Sequence, residues 1–99
     1  MLNIEKKSED KTLTLVVSGR IDTMTAPEFE KVIREDLENV ETLILDFENL
    51  DYISSAGLRV ILTAQKIMRR QGEMKIVHVN EVVSEVFEVT GFSDILTIE

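Results

Sequence analysis

Two adjacent serines, Ser54 and Ser55, are the residues of this sequence best placed to take part in chemistry. They precede a stretch whose apolar residues repeat at helical spacing, so they mark the start of a helix. Serine is a preferred N-cap residue, worth about 1 kcal/mol, and capping alone accounts for the pair. A helix N-terminus also presents free N–H groups and the positive end of a dipole, which favour a bound phosphate. The alternative interpretation is reversible phosphorylation at this position.

Few other side chains could carry out catalysis. The sequence has one histidine, His78, and no cysteine, which excludes thiol nucleophiles and Cys-ligated zinc. His78 lies in a segment typical of a strand, with no nucleophile elbow or ligand cluster beside it. No phosphate-binding loop, dinucleotide motif or zinc-ligand spacing is present. Acidic pairs such as Glu35-Asp36 are typical of solvated surfaces. We therefore expect no enzyme, no catalytic residue, no metal and no cofactor.

The net charge limits the kinds of partner. The chain has 19 acidic and 11 basic residues among 99, which gives a net charge of −8. Nucleic acid and anionic membranes would repel such a chain, whereas a basic patch on a protein would attract it. No apolar run approaches the ~20 residues of a membrane span, and the first residues lack the pattern of a signal peptide. We expect a cytoplasmic protein that binds other proteins, with no nucleic acid and no membrane insertion.

Hydrophobic patterning predicts five strands. Alternation and enrichment in Val and Thr are typical of strands in the first half of the chain, and continuous apolar runs are typical of central strands later on. The segment between the third strand and the serine pair, residues 48–52, is expected to be a polar loop. The predicted strands cover residues 2–7, 11–18, 42–47, 74–79 and 95–98.

Three helices are expected between these strands. The first begins near Thr25, where Thr25 and Glu28 form a predicted capping box. The second begins at the serine pair and ends at Gly72. The third runs from an Asn80 cap to Gly91.

The order of elements predicts the fold class. Strands that alternate with helices form parallel pairs through crossover connections, and the two opening strands add an antiparallel pair. We therefore expect one α/β domain over residues 1–99, with a small mixed β-sheet covered by helices in the order β-β-α-β-α-β-α-β. In such a sheet, the loops around residues 22–25 and 51–55 could fall at one end.

Two segments of the chain resemble a known family. They are SGRIDTMTA at residues 18–26 and LDYISSAGLRVI at residues 50–61, and the ending TGFSDI at residues 90–95 also fits. The chain resembles a STAS domain, a family named for sulphate transporters and anti-sigma factor antagonists, and is most similar to the free-standing bacterial antagonists. The resemblance spans essentially the whole chain. It implies a small mixed sheet covered by helices, in a protein that is not an enzyme.

The resemblance also implies a switch between partners. The unmodified form would bind an anti-sigma factor that is also a serine kinase, and this would free a sigma factor for transcription. The kinase would phosphorylate a serine at the start of the second helix, and a PP2C-type phosphatase would remove the phosphate. Because anions stabilise a helix N-terminus, we expect the added charge of about −1.5 to −2 to act locally, without refolding.

The matching motif places the phosphate acceptor at Ser55, two residues before a glycine. The family often has Asp immediately before the acceptor, where this chain has Ser54, which is therefore a second candidate. For Asp22 and Thr25, a turn and a helix cap are as suitable a role as a partner contact. The residues expected to bind the partner are Asp22, Met24, Thr25, Ser54, Ala56, Gly57 and Arg59.

Other functions remain open from the sequence. The main alternative is a stand-alone STAS interaction module of a lipid-transport, transporter or stress-signalling complex. Nucleotide binding ranks lower, since no phosphate-binding loop is present. A weak homodimer is also left open, and the sequence names neither the sigma factor nor the kinase.

Overall fold

The computed structural model describes residues 2–99, which form a five-stranded sheet with three α-helices. The predicted α/β class with a mixed sheet is confirmed. No helix in this range has both the length and the apolar character needed to cross a bilayer. In chain order the elements are β1 (Leu2–Glu9), β2 (Thr12–Ile21), α1 (Ala26–Asp36), β3 (Thr42–Asp46), β4 (Leu50–Ile53), α2 (Ser55–Gln71), β5 (Glu73–Val77), α3 (Glu81–Thr90) and a 3₁₀ helix at Phe92–Asp94.

The sheet is organised around the long strand β2. β1 pairs with one edge of β2 in antiparallel orientation. On the opposite edge, β3 pairs in parallel with the first half of β2, and β4 pairs in parallel with its last residues. β5 pairs in parallel with β3. The four strands β2 to β5 therefore run in the same direction, and their carboxyl ends point to the same end of the sheet.

A β-bulge interrupts the pairing between β2 and β4. Gly19 lies opposite Leu50, but the next residue of β2, Arg20, lies opposite Tyr52, so that Asp51 is the extra residue. Gly19 has φ 97°, a backbone conformation that glycine adopts without a steric penalty. Bulges increase the local twist and re-aim the side chains that follow them. Here the bulge reorients the last residues of β2 and β4, the strands that lead into α1 and α2.

One face of the sheet is buried under the helices. Alternate residues of the strands are buried, as a period of two requires when one face packs on a core. α1 packs against α2, α2 packs against β4 and β5, and α3 packs against β4. The buried strand residues are Leu2, Leu13, Leu15, Val17, Ile21, Leu43, Leu45, Leu50, Ile53, Met74 and Ile76. The helices contribute Phe29, Ile33, Ile61, Met68, Val83 and Phe87, among others.

The predicted boundaries of α2 and α3 are confirmed, because the capping residues act as expected. Ser54 is the N-cap of α2, and the helix ends before Gly72. Asn80 is the N-cap of α3, where its Oδ1 accepts the N–H of Val83 at 2.8 Å. Gly91 ends α3 with φ 82°, a left-handed conformation common at helix C-termini.

Two local predictions in the second half of the chain are wrong. Residues 48–52 were expected to be a loop, but β4 begins at Leu50, because the side chains of Leu50 and Ile53 are buried and pull the backbone against β2. Residues 95–98 were expected to be a strand. Instead the chain turns at the 3₁₀ helix, where two backbone N–H groups bond back to the carbonyl of Phe92. Only a single bridge, between Ile76 and Ile98, remains of that pairing.

Candidate functional site

The two matching segments meet at one end of the sheet, as the sequence predicted. β2 and β4 end side by side at Ile21 and Ile53. The N–H of Ser54 donates to the carbonyl oxygen of Ile21 at 2.8 Å. The loop that follows β2 is therefore adjacent to the first turn of α2. We call the surface formed by residues 20–25 and 52–59 the motif end.

Asp22 holds the loop that leads from β2 into α1. Its Oδ1 accepts the N–H of Met24 and the N–H of Thr25, each at 3.0 Å. Its carbonyl oxygen also accepts the N–H of Ala26 at 2.8 Å. The hydrogen bond from the Thr25 N–H is the main reason that the pKa of Asp22 lies below its usual value, with smaller contributions from Met24, the Thr25 side chain and Arg20. Asp22 is thus ionised and caps the turn.

The predicted capping box of Thr25 and Glu28 is wrong. No side chain caps α1 at Thr25. The hydroxyl of Thr25 instead accepts the N–H of Asp22 at 2.9 Å and donates to the carbonyl of Arg20 at 2.8 Å. Because Asp22 already satisfies the N–H groups of the entering turn, the threonine hydroxyl bonds back to the end of β2. Asp22 and Thr25 therefore hold the loop in one conformation through hydrogen bonds within it.

Met24 lies at the tip of this stiffened loop. Its side chain is 86% exposed, which makes it the most exposed large apolar residue among residues 2–99. A methionine side chain adapts its shape to the surface that it meets. The loop thus presents an apolar contact on a rigid backbone.

The two serines at the start of α2 occupy different environments. Ser54 is half-buried, and its Oγ accepts the N–H of Gly57 at 3.4 Å, a long hydrogen bond. Ser55 is exposed as the first residue of α2, and no hydrogen bond found within residues 2–99 uses its hydroxyl. The first turn of α2 contains no acidic residue, so the positive end of its dipole is not neutralised there. Ser55 therefore presents its hydroxyl to solvent at an anion-favouring position.

Gly57 brings α2 close to the ends of β2 and β4. A Cβ atom at this position would lie 2.6 Å from Cγ2 of Ile21 and 2.7 Å from Cγ1 of Ile53. Both distances are shorter than carbon atoms tolerate, so only glycine allows this approach. Gly57 was expected to contact the partner, but it is buried. We assign it a packing role that positions the serines beside the loop of Asp22.

The side chains of Arg20 and Tyr52 form a cation–π pair that was not predicted from the sequence. The guanidinium carbon of Arg20 lies 4.6 Å from the centroid of the Tyr52 ring, within the range of a cation–π interaction. Arg20 Nε also lies 3.9 Å from Oδ2 of Asp22. The two residues are opposite each other across the β2–β4 pairing, and this contact was missed because β4 was missed.

A shallow depression connects α2 with α1 beside the serines. Ala56, Arg59 and Thr63 of α2 line it together with Ala26 and Glu30 of α1, and its volume is about 280 Å³. Arg59 is exposed, and it lies one helical turn after Ser55. The depression extends the motif end sideways towards α1.

The motif end has the features of a docking surface. His78 does not reach it, since its Nδ1 lies 3.0 Å from Oδ1 of Asp46 at the ends of β5 and β3. Within residues 2–99, the one cluster of three side chains that could hold a metal ion is also there, formed by Asp46, Glu48 and His78. The expectation that no ligand cluster lies beside His78 is therefore wrong. What the motif end offers is an exposed hydroxyl, an exposed thioether and two arginines on a rigid support.

Comparisons with known proteins agree with this geometry. The STAS domain family model matches residues 3–99. An anti-sigma-B factor antagonist from Staphylococcus aureus is 31% identical over 99 residues, which cover 96% of this chain and 90% of that protein. An anti-sigma factor antagonist from Mycobacterium paratuberculosis superposes with a TM-score of 0.90 at 19% identity, over 99% of this chain and 85% of that one.

Solved structures of SpoIIAA, an anti-sigma factor antagonist, share the fold in two states. The unphosphorylated form superposes with a TM-score of 0.82 at 18% identity, over 98% of this chain and 88% of that one. The phosphorylated Bacillus form superposes with a TM-score of 0.75 at 18% identity, over 100% and 91% of the two chains. With the family model matched over residues 3–99 and the fold in common, this chain belongs to the STAS domain family.

Proposed function

We propose that this chain is an anti-sigma factor antagonist whose binding is switched off by phosphorylation of Ser55. In its unmodified form it binds an anti-sigma factor that is also a serine kinase, and so releases a sigma factor in the cytoplasm. A PP2C-type phosphatase restores the unmodified form. The observation that carries the proposal is the exposed hydroxyl of Ser55 at the first position of α2, beside the loop of Asp22. The relatives described as antagonists support it.

Ser55 is a better phosphate acceptor than Ser54. The Ser54 hydroxyl is half-buried and caps α2 through the N–H of Gly57, so a kinase would have to break that contact to reach it. Ser55 is exposed. The family often has Asp where this chain has Ser54, and both residue types are good N-caps. The exchange therefore keeps the helix start that presents Ser55.

A phosphate on Ser55 would change the surface without unfolding α2. The first turn of α2 has no acidic residue, so the helix dipole favours the new charge. Arg59 lies one turn further along, and side chains on a helix lean towards its N-terminus. Its guanidinium is therefore suitably placed to pair with the phosphate. SpoIIAA has this fold in both its phosphorylated and its unphosphorylated form, which supports a switch without refolding.

The proposed contact surface surrounds Ser55. Met24, Ala56 and Arg59 would touch the partner directly, while Asp22 and Thr25 would hold the loop in shape. The net charge of −8 would favour a partner with a basic patch. A phosphate of about −1.5 to −2 charge at the centre of the contact would have to be desolvated there, and it would engage Arg59, which the unmodified form offers to the partner. Its bulk would also separate the two surfaces.

The proposal is tested by titrating this chain into the anti-sigma factor kinase encoded by the same genome, with calorimetry as the readout. We expect Ser55→Asp to weaken binding by about tenfold or more, because it places a charge in the contact. Ser8→Asp is the matched control, since Ser8 is exposed and lies opposite Leu13, at the far end of the sheet from Ser55. It should bind as the unchanged protein does.

Phosphorylation itself is followed by mass spectrometry. Incubation with the kinase and ATP should add one phosphate, Ser55→Ala should abolish this addition, and a PP2C-type phosphatase should reverse it. Phosphate on Ser54 in the unchanged protein would move the switch by one residue. A capture from host lysate with the unchanged protein as bait tests the alternative. If it retains no kinase but retains subunits of a membrane transporter or lipid-transport complex, the chain is a STAS module of another assembly.

A further inference from the structure

Three side chains with metal-binding groups converge at the ends of β3 and β5, away from Ser55. They are Asp46, Glu48 and His78, and one ligand atom of each lies within 4.8 Å of the others. β3 and β5 are paired in register up to Asp46 and Val77. The N–H of Phe47 donates to the carbonyl of Val77 at 3.0 Å. The sheet itself therefore brings the imidazole to the carboxylates.

The spacing of the first two ligands already fits a metal ion. His78 Nδ1 and Asp46 Oδ1 are 3.0 Å apart. Two ligands that are each about 2.1 Å from an ion and meet at a right angle are about 3.0 Å apart. At a tetrahedral angle the same bonds would place them about 3.4 Å apart. The distance between the two atoms thus suits one ion, which would replace their hydrogen bond after a turn of the imidazole ring.

The backbone around the cluster is held firmly, while its third ligand is free to move. Oδ1 of Asp46 accepts the N–H of Glu48 at 3.1 Å, and the Asp46 side chain is 19% exposed. His78 has φ 61°, a left-handed conformation fixed between β5 and the Asn80 cap of α3. Glu48 is exposed, so its carboxylate can rotate to complete the set.

We propose that Asp46, Glu48 and His78 form a binding site for a divalent transition-metal ion. One imidazole nitrogen and two carboxylates suit Zn²⁺ or Mn²⁺ better than a thiophilic ion, and water would fill the remaining positions. The metal would bond to Nδ1 of His78 in place of the hydrogen that Nδ1 donates to Asp46. A neutral ring then carries that proton on Nε2 after exchange through solvent, and only an imidazolium releases it to solvent. Such an ion would join the turn between β3 and β4 to the start of α3. The site uses none of the residues of the motif end.

The test is a titration of untagged protein with Zn²⁺ and with Mn²⁺ by calorimetry, together with NMR of the imidazole nitrogens. His78 is the only histidine of the chain, so its Nδ1 resonance is unambiguous. We expect saturable binding of one ion per chain and a large shift of Nδ1 with Zn²⁺. His78→Asn, Asp46→Asn and Glu48→Gln should each weaken binding by about tenfold or more. Asn is chosen at position 78 because it tolerates the left-handed backbone.

A matched control separates this site from general attraction to an acidic surface. Asp94→Asn removes an exposed carboxylate elsewhere in the chain, and it should leave the affinity unchanged. Circular dichroism confirms that each variant keeps its fold. The proposal is overturned if Nδ1 does not shift, or if the control weakens binding as much as the three ligand variants do. It is also overturned if no saturable binding occurs with either ion.

Discussion

Replacing Gly57 by alanine tests how the motif end is assembled. The new Cβ would lie 2.6 Å from Ile21 Cγ2, 2.7 Å from Ile53 Cγ1 and 3.2 Å from Ile21 Cβ. Ile21 is fully buried and Ile53 is 2% exposed, so neither side chain can move into solvent to make room. The first turn of α2 must shift outward, and with it the two serines.

The expected magnitude is the difference between two opposing effects. Overpacking a tight core typically costs 1–3 kcal/mol, here about 2 kcal/mol. Alanine is favoured over glycine within a helix by about 1 kcal/mol. We therefore expect Gly57→Ala to lower the free energy of unfolding by about 1 kcal/mol. For a domain of this size, that corresponds to a fall in Tm of about 4–8 °C.

Urea unfolding measures this change, and Lys66 offers the control. Lys66 is exposed within α2, so the difference between Lys66→Ala and Lys66→Gly reports helix propensity without packing. Gly57→Ala could instead raise the free energy of unfolding by as much as Lys66→Ala exceeds Lys66→Gly. Ile21 and Ile53 would then accommodate the new Cβ at little cost, and the close-approach argument would be refuted. In the proposed function, the displaced serines should also weaken binding of the kinase, whereas Lys66→Ala should not.

Three further predictions concern other contacts. The pKa of Asp22 is lowered in the folded chain, so its stabilising effect is present above the unfolded value and is lost as the pH falls through the folded pKa. Asp22→Asn should therefore destabilise the protein at neutral pH, and urea unfolding should show this difference shrinking in acid. Gly72→Ala would place a Cβ 1.8 Å from the carbonyl oxygen of Glu41, a backbone atom that cannot rotate away. We expect a loss of about 3 kcal/mol or more by urea unfolding, and a near-neutral result would contradict the close contact. Ser54→Ala should cost about 0.5–1 kcal/mol, since its cap bond is long at 3.4 Å. Ser54→Asp should restore that stability in a thermal shift assay, and an equal loss in both variants would refute the capping role.

The fold class could be predicted because local patterns agree with the tertiary structure. Alternating apolar residues in β2 and β3 face the core, and the Asn80 and Gly91 caps bound α3 as expected. β4 could not be predicted in this way. It is four residues long, and its buried residues Leu50 and Ile53 are three positions apart, so no alternation is visible. Its strand character arises only from pairing with β2.

The contacts at the motif end were predicted less well than its location. The resemblance placed both segments correctly, but Thr25 was expected to cap α1 with its side chain. No side chain caps α1 there, and Asp22 instead accepts the N–H groups of Met24 and Thr25 in the turn before the helix. A capping pattern in the sequence does not show which of two nearby oxygen atoms reaches the N–H groups first. The approach of His78 to Asp46 joins residues that are 32 positions apart. It depends on strand pairing, which no local pattern reveals.

The division of β2 between two partner strands has a consequence for motion. β3 pairs with β2 at five positions, whereas β4 pairs at three, and the bulge interrupts this short ladder after its first pair. Amide hydrogens in β4 and the first turn of α2 should therefore exchange with solvent faster than those of β3, through local opening that leaves the rest of the sheet closed. β4 and the start of α2 would then open more readily than the loop of Asp22, which its own hydrogen bonds hold in shape. In the proposed function, this local opening would let the turn that carries Ser55 adjust to its partner while β1, β2, β3 and β5 stay paired.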